Sequence, residues 1–256
     1  MPSTYLITGC SGGLGLEMVK QLAARGEKIY ATVRKKEASA TGIDAISKVE
    51  GDITIIEGVD VTDDNVGDML ANSALKGVTL DVVVHNAGSI NGTRDLKDPG
   101  SIFGDQKIQQ VSPARMMAAF NLNCLGVLRV QQAINEQMKS PGGKICIIST
   151  GMGSIGDNSS GGLHAYRCSK AAVNMLGKGL SVDMKDKGIA VVNVNPGMVA
   201  TDFGPGPDML KKMGAMEIPV SVNGLVKVFD GLSMENTGKF MGVKKDADPC
   251  EMEAGW

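Results

Sequence analysis

Tyr5-Leu6-Ile7-Thr8-Gly9-Cys10-Ser11-Gly12-Gly13-Leu14-Gly15-Leu16 decides the fold of this chain. An apolar run too short for a helix enters a glycine cluster, and Leu16, Val19, Leu22 and Ala23 then recur at helical spacing until Gly26 ends the element. The reading is strand, turn, helix. The same alternation continues downstream. Lys28 to Val33, Ile53 to Val59, Leu80 to Val84, Lys144 to Ile148 and Ile189 to Val194 read as further strands. Helices are expected from the capping pair Thr62-Asp63 toward Leu75, from near Pro113, and from Ala165 to about Lys185. Strands alternating with helices predict right-handed crossovers, hence an α/β fold whose parallel sheet is covered on both faces.

With 256 residues, 43% of them hydrophobic, the chain can bury one full α/β core as a single domain, 1–256. Two stretches stand apart from the alternation. Residues 89–112 are rich in Gly, Asp, Asn and Lys without a period and read as a surface excursion near a substrate mouth. Gly204-Pro205-Gly206-Pro207 breaks the chain ahead of a methionine-rich segment, Met209 to Met216. The formal net charge of -2, the absence of a long basic block, three Tyr and one Trp argue against a nucleic-acid partner. No apolar run approaches the roughly 18 residues that a membrane helix needs, and the polar N-terminus lacks the pattern of a secretory signal. Cys10, Cys124, Cys146, Cys168 and Cys250 form an odd set without a Cys-x-x-Cys pair, and His85 and His164 lie far apart in sequence. A reduced, cytoplasmic, metal-free protein is expected.

The glycine turn lies between the first strand and the first helix, where the pyrophosphate of a dinucleotide would dock. Glycines let the backbone come close, and a helix N-terminus offers unpaired N–H groups and a favourable dipole. Gly9, Ser11, Gly12, Gly13, Leu14 and Gly15 are the candidate cofactor residues here, although the spacing departs from Gly-x-Gly-x-x-Gly. At the end of the second strand an acidic residue would suit a ribose 2′-hydroxyl and a cation a 2′-phosphate. This chain has Val33-Arg34-Lys35-Lys36, which favours NADP(H) over NAD(H) through Arg34, unless the three cations only form a solvated loop. Asp60 could receive the adenine amino group or cap a helix.

Tyr166 and Lys170 are one helical turn apart, on one face. A phenol is a poor acid near neutrality, and a neighbouring ammonium stabilises its ionised form. Ser149 and Thr150 at the end of the fifth strand place hydroxyls where they could polarise a carbonyl, and Asn123 supplies an amide that could hold a relay water. Each of these is weak alone, but ligands of open parallel sheets bind beyond the carboxyl ends of the strands, where all of them fall.

Taken together, Thr8-Gly9-x-x-x-Gly13-x-Gly15, Asp60-Val61, Asn86-Ala87-Gly88, Asn123-x-x-Gly126, Ser149-Thr150, Tyr166-x-x-x-Lys170 and Pro196-Gly197-x-Val199-x-Thr201-Asp202 closely resemble the short-chain dehydrogenase/reductase family over essentially the whole chain. Tyr166-Arg167-Cys168-Ser169-Lys170, the preceding Gly-Ser-Ile-Gly and Gly238-Lys239-Phe240 look like its sniffer-type and C-factor-type carbonyl reductases. The resemblance implies a Rossmann-type doubly wound sheet and reduction of a ketone or aldehyde, or the reverse oxidation of an alcohol. It implies Tyr166 as proton donor, Lys170 on the nicotinamide ribose and Asn123 beside the relay water. Asn86, Ala87 and Gly88 would line the cofactor cleft, and Val61, Pro196, Gly197, Val199 and Thr201 would border the cofactor.

The family pattern also leaves questions. Where the family has Asn-Asn-Ala-Gly this chain has His85-Asn86-Ala87-Gly88, which implies a changed packing contact at the strand end. Counting back from Gly153 puts the polarising hydroxyl on Thr150, with Ser149 as the alternative and Ser154 more distant. Neighbouring strand residues face opposite sides, so only one of the first two can serve. Residues 203–218 would be a substrate segment in which Met209, Leu210, Met213 and Met216 cover an apolar carbonyl compound, unless these side chains belong to the core or to a contact between copies. The resemblance further implies a homodimer or homotetramer. A catalytically silent NADP-binding scaffold is the competing expectation, disfavoured by the intact Tyr-Lys pair.

Overall fold

The structure is a computed structural model that describes residues 1–34, 40–90, 107–203, 205–252 and 256. Its first half runs β1 (Thr4–Ile7), α1 (Gly13–Ala24), β2 (Lys28–Thr32), α2 (Ala40–Ile46), β3 (Ile53–Ile56), α3 (Val66–Ala71) and β4 (Val82–His85). Next come α4 (Pro113–Phe120), a π-helical stretch (Asn121–Leu125), α5 (Gly126–Ile134) and β5 (Lys144–Ile148). A 3-10 turn (Gly151–Gly153), α6 (His164–Asp183) and β6 (Ala190–Asn195) follow, and the chain closes with α7 (Pro207–Lys212), α8 (Ile218–Gly231), β7 (Lys239–Val243) and β8 (Pro249–Glu251).

The eight strands form one sheet in the order β3-β2-β1-β4-β5-β6-β7-β8. The first seven pair in parallel, and β8 returns antiparallel along β7. This is the doubly wound Rossmann-type α/β fold. From β1 the winding goes outward to β2 and β3, then restarts at β4 on the other side. The switch opens a crevice beyond the carboxyl ends of β1 and β4, the place where ligands of such sheets bind.

Alternation along the strands builds the two sides of the core. Ile7, Val84, Cys146 and Val192 face one way and pack with Val19 and Leu22 of α1 and Leu225 and Phe229 of α8. Leu6, Val83, Ile145 and Val191 face the other way, against Leu70 of α3, Val130 of α5 and Val173 of α6. Each such side chain stabilises the fold by about 1.5–3 kcal/mol relative to leaving it in water. Buried on both faces, the central strands read as continuous apolar runs. Ser112 accepts the Arg115 N–H at 3.2 Å, and with Pro113 at the first helical position it starts α4 where the sequence predicts.

Several boundaries differ from the sequence reading. Beyond Leu80, which only bridges to Met138, β4 begins at Val82 and takes in His85. Asp63 accepts from the Asn65 backbone at 2.9 Å in a turn, so α3 starts at Val66 and ends well short of Leu75. β7, β8 and α8 are additions to the predicted set, and β8 adds an antiparallel edge to the expected parallel sheet. Pro249 is tolerated there because β8 is an edge strand. Of the excursion read over 89–112, residues 91–106 lie outside the described residues, as do Lys35 and Lys36. Among the described residues no helix is long and apolar enough to cross a membrane, and no group of His, Cys, Asp and Glu could hold a metal ion.

Candidate active site

The glycine turn is tied to the end of β4 by side-chain hydrogen bonds. Thr8 Oγ1 accepts from the backbone N–H of both Asn86 and Ala87 at 3.0 Å, while Asn86 Nδ2 donates to the carbonyls of Thr8 (3.0 Å) and Gly9 (3.1 Å). Cys10 N donates to Thr32 O at 2.9 Å and fastens the turn to β2 as well. Gly9 has φ +74°, and a Cβ there would stand 2.9 Å from Ala87 Cα. Gly15 packs so closely on the Gly9 carbonyl and on Asn86 Nδ2 that no side chain fits. By contrast a Cβ at Gly12 would meet nothing within 4 Å, and no side chain caps the first turn of α1. The first backbone N–H groups of α1 are therefore left without a side-chain cap, as an anion-binding helix end requires.

Across the crevice, Thr201 Cγ2 lies 3.8 Å from the Cβ position of Gly13. Thr201 follows Gly197, whose φ of +81° lets the backbone pass against the Met216 side chain, and Pro196, whose carbonyl accepts from Ser221 Oγ at 2.8 Å. Val199 is buried and bridges to Met216. Arg34 is exposed just beyond β2. Asp60 Oδ1 accepts from Thr62 N (2.8 Å) and Thr62 Oγ1 (2.6 Å), so its carboxylate holds the turn after β3 and does not cap α3. Val61 is buried, with its side chain packed against Gly126. The uncapped helix end, the glycine-rich turn and the Thr201 wall fit a dinucleotide.

At the neighbouring strand ends the catalytic candidates converge. The Tyr166 phenol lies beside the Thr150 side chain, and Lys170 Nζ sits 5.9 Å from the Tyr166 ring centroid while donating to Ile148 O at 2.9 Å. Ser149 is turned to the opposite side and donates to Asn174 Oδ1 at 2.5 Å, and the buried Ser154 Oγ accepts from Asp157 N. Of the three hydroxyls weighed from the sequence, the structure brings only Thr150 to Tyr166. Burial pushes the Tyr166 phenol well above its ordinary value, with the Thr150 side chain pulling the other way. Burial also drives Lys170 down to about 8, with nearby Cys124 opposing. The protein alone thus opposes the lowering expected for Tyr166, because desolvation disfavours the phenolate and the ammonium alike.

Asn123 lies on the π-helical stretch, 1% exposed. Its Nδ2 donates to Ser89 O (2.9 Å) and Ser169 Oγ (2.9 Å), and Oδ1 accepts from Ser89 N at 3.0 Å. The amide thereby ties the loop after β4 to α6. Its donors are spent on protein groups. Gly88 keeps this junction narrow, since a Cβ there would stand 3.0 Å from Asn123 Oδ1 and 3.5 Å from Lys170 Nζ. Ser89, Ser169, Asn174 and Arg167 escaped the sequence reading. Arg167 donates to Gly161 O, Gly162 O and Ser160 Oγ and so orders the stretch before α6. Only Ser169 carried a signal, its place in Tyr-x-x-Ser-Lys.

Phe203 closes one side of the site, with its ring centroid 5.8 Å from that of Tyr166 and tilted by 59°. Met209 and Met213 of the following segment are exposed, whereas Met216 belongs to the core. The methionines read together from the sequence therefore divide.

His85 stands apart from the chemistry. It is buried, its Nε2 lies 3.0 Å from Gln131 Oε1, and burial lowers its pKa to about 4. Between pH 6.5 and 4 the unfolded chain binds this proton and the folded chain does not, so stability is complete above the unfolded value and falls as the pH drops. Urea titrations at pH 7.5 and 4.5 are expected to show a loss from this group of up to about 3 kcal/mol, absent from the slope of His85→Asn. An equal slope in the variant would mean that His85 is not neutral in the fold.

A family model described as short chain dehydrogenase matches residues 3–206. Among curated proteins, 1-hydroxy-2-glutathionyl-2-methyl-3-butene dehydrogenase of Rhodococcus sp. (strain AD45) is 34% identical over 239 residues, covering 93% of this chain and 95% of that one. Among solved structures, the NADPH-bound carbonyl reductase from chicken fatty liver superposes with a TM-score of 0.79 at 26% identity, over 98% of this chain and 99% of its own. The carbonyl reductase Sniffer of D. melanogaster gives a TM-score of 0.75 at 27% identity, over 98% and 100%.

Proposed function

The chain belongs to the short-chain dehydrogenase family, and from that premise we propose that it reduces an apolar ketone or aldehyde with NADPH, using Tyr166 as the proton donor. The observation that carries the reading is the Thr150 side chain beside the Tyr166 phenol, with Lys170 beside the ring, at the carboxyl end of β5 next to the crevice. When bound, the cofactor supplies the hydride. Gly9, Ser11, Gly12, Gly13, Leu14 and Gly15 would hold its pyrophosphate, Arg34 its 2′-phosphate, and Lys170 its nicotinamide ribose. Pro196, Gly197, Val199 and Thr201 would form the far wall. A carbonyl oxygen placed between Thr150 and Tyr166 receives two hydrogen bonds that strengthen as charge develops on it, and the phenol gives up its proton there. The same groups serve alcohol oxidation in reverse.

NADPH is favoured because Arg34 follows β2 with no carboxylate at the strand tip, and the NADPH-bound chicken enzyme supports the choice. Phe203, Met209 and Met213 favour an apolar substrate that residues 203–218 would cover. The exposed apolar face of α6 with Met175 and Val182 supports pairing with a second copy. The test is cofactor oxidation with NADPH or NADH over a panel of aldehydes, ketones and quinones; a preference for NADH, or no turnover on any of them, would refute the reading. Thr150→Ala is expected to lower kcat about 100-fold while Thr150→Ser stays close to the parent. An unchanged kcat in Thr150→Ala would remove Thr150 from the carbonyl.

A further inference from the structure

Behind the face that carries Tyr166 and Lys170, three buried polar side chains meet that the proposed reaction does not use. Ser149 Oγ donates to Asn174 Oδ1 at 2.5 Å, and Asn193 Nδ2 donates to the same oxygen at 3.2 Å. Asn193 Nδ2 also reaches the main-chain carbonyls of Val173 (3.3 Å) and Asn174 (3.2 Å). Ser149 and Asn174 are each 2% exposed and Asn193 is 1% exposed. They stand on three different elements: Ser149 just past β5, Asn174 one turn beyond Lys170 on α6, and Asn193 on β6.

Nothing in the surroundings lets this cluster slide. α6 approaches β6 at Gly177 so closely that a side chain there would collide with Asn193 Oδ1. A Cβ at Gly153 would stand 2.9 Å from Lys170 O and 3.0 Å from Asn174 Nδ2, so the turn that follows Thr150 is pressed directly on α6. The cluster is also costly. Asn174 Nδ2 and Asn193 Oδ1 are buried without a hydrogen-bond partner. An apolar trio of similar shape would avoid that loss. What directional hydrogen bonds add, and apolar packing lacks, is a fixed register between the elements they join.

Ser149 and Thr150 are consecutive, and Thr150 keeps an extended backbone (φ -161°, ψ 151°), so their side chains point to opposite sides. Fastening the first to α6 from behind fixes the direction of the second in front. We propose that Ser149, Asn174 and Asn193 form a brace that holds the Thr150 hydroxyl against the Tyr166 phenol, with Ser149 and Asn174 acting as positioning residues through Thr150. The proposal rests on the reading of Tyr166 as the proton donor.

Ser149→Ala, Asn174→Leu and the double variant test it, each first checked for a folded chain by its melting transition. Each single change is expected to lower kcat about tenfold, as a misplaced donor does, with NADPH affinity and the KM for the carbonyl within twofold of the parent. The double variant is expected to lose no more than the worse single, because both break one connection. Tyr166 ionisation is followed in the NADP+ complex by tyrosinate absorbance, taking the difference from the same variant carrying Tyr166→Phe. It is expected to move to higher pH in all three. Tyr166 and Lys170 face each other from α6 and Cys124 faces Lys170 from the π-helical stretch, and none of these is altered.

Additive losses, or an unmoved Tyr166 titration, would overturn the brace. So would a KM increase in Ser149→Ala as large as the loss of kcat, which would mean that this hydroxyl touches substrate. The titration needs no turnover. A shifted titration in a protein that reduces no carbonyl would sustain the brace and overturn the proposed function instead.

Discussion

Tyr166→Phe is expected to bind NADPH as tightly as the parent while kcat for carbonyl reduction falls by about three orders of magnitude, within the range that a positioned proton donor supplies. The ring is retained, so its contact with Phe203 and its burial survive, and only the hydroxyl beside Thr150 is lost. Burial raises the pKa of this phenol in the protein alone, so it stands protonated at neutral pH, the form a donor needs for reduction. Oxidation of the alcohol requires the phenolate and is therefore expected to need higher pH than reduction. Matching pH profiles for the two directions would remove Tyr166 from the proton transfer, as would parental turnover in the variant.

Gly15→Ala is expected to weaken NADPH binding about 10- to 100-fold, with a lower melting temperature. The added methyl has no room between the Gly9 carbonyl and Asn86 Nδ2, so the turn must open and pull on the bonds from Asn86 to Thr8 and Gly9. Overpacking of this kind costs about 1–3 kcal/mol, and here the strain falls on the element that meets the pyrophosphate. Equilibrium titration with NADPH checks it. Unchanged affinity would show that the turn does not hold the cofactor.

How much of this the sequence disclosed follows from the range of the interactions involved. β1, the glycine turn and α1 are local, with the strand run, the breakers and the helical period all within about two dozen residues, and their reading matches the structure closely. Lys144–Ile148 and the span of α6 were equally legible, because buried strands are continuous apolar runs and a long helix keeps its period. The late elements were not. β7 contains Gly242, and β8 is three residues beginning with a proline, held in place only by its partner strand.

The site divides in the same way. The Tyr166-x-x-x-Lys170 pair announces itself because four-residue spacing on a helix is a local rule. The choice between Ser149 and Thr150 stayed open, since alternation says that they differ in facing and not which one faces the crevice. It takes Asn174 and Tyr166, from another element, to separate them. Asn123 was singled out from its motif, yet the bonds of its amide to Ser89 and Ser169 depend on partners 34 and 46 positions away. The shift of Tyr166 in the protein alone was out of reach for a related reason: a neighbouring lysine is visible in the sequence, while the burial that raises the pKa is a property of the folded chain.

The most direct test of the central claim is to incubate the protein with NADPH and an apolar ketone or aldehyde and to quantify both the NADPH consumed and the alcohol formed, with Tyr166→Phe in parallel. One alcohol formed per NADPH consumed by the parent, and essentially none by a variant that still binds NADPH, is the predicted result. Consumption without alcohol, or equal alcohol from both proteins, would contradict it.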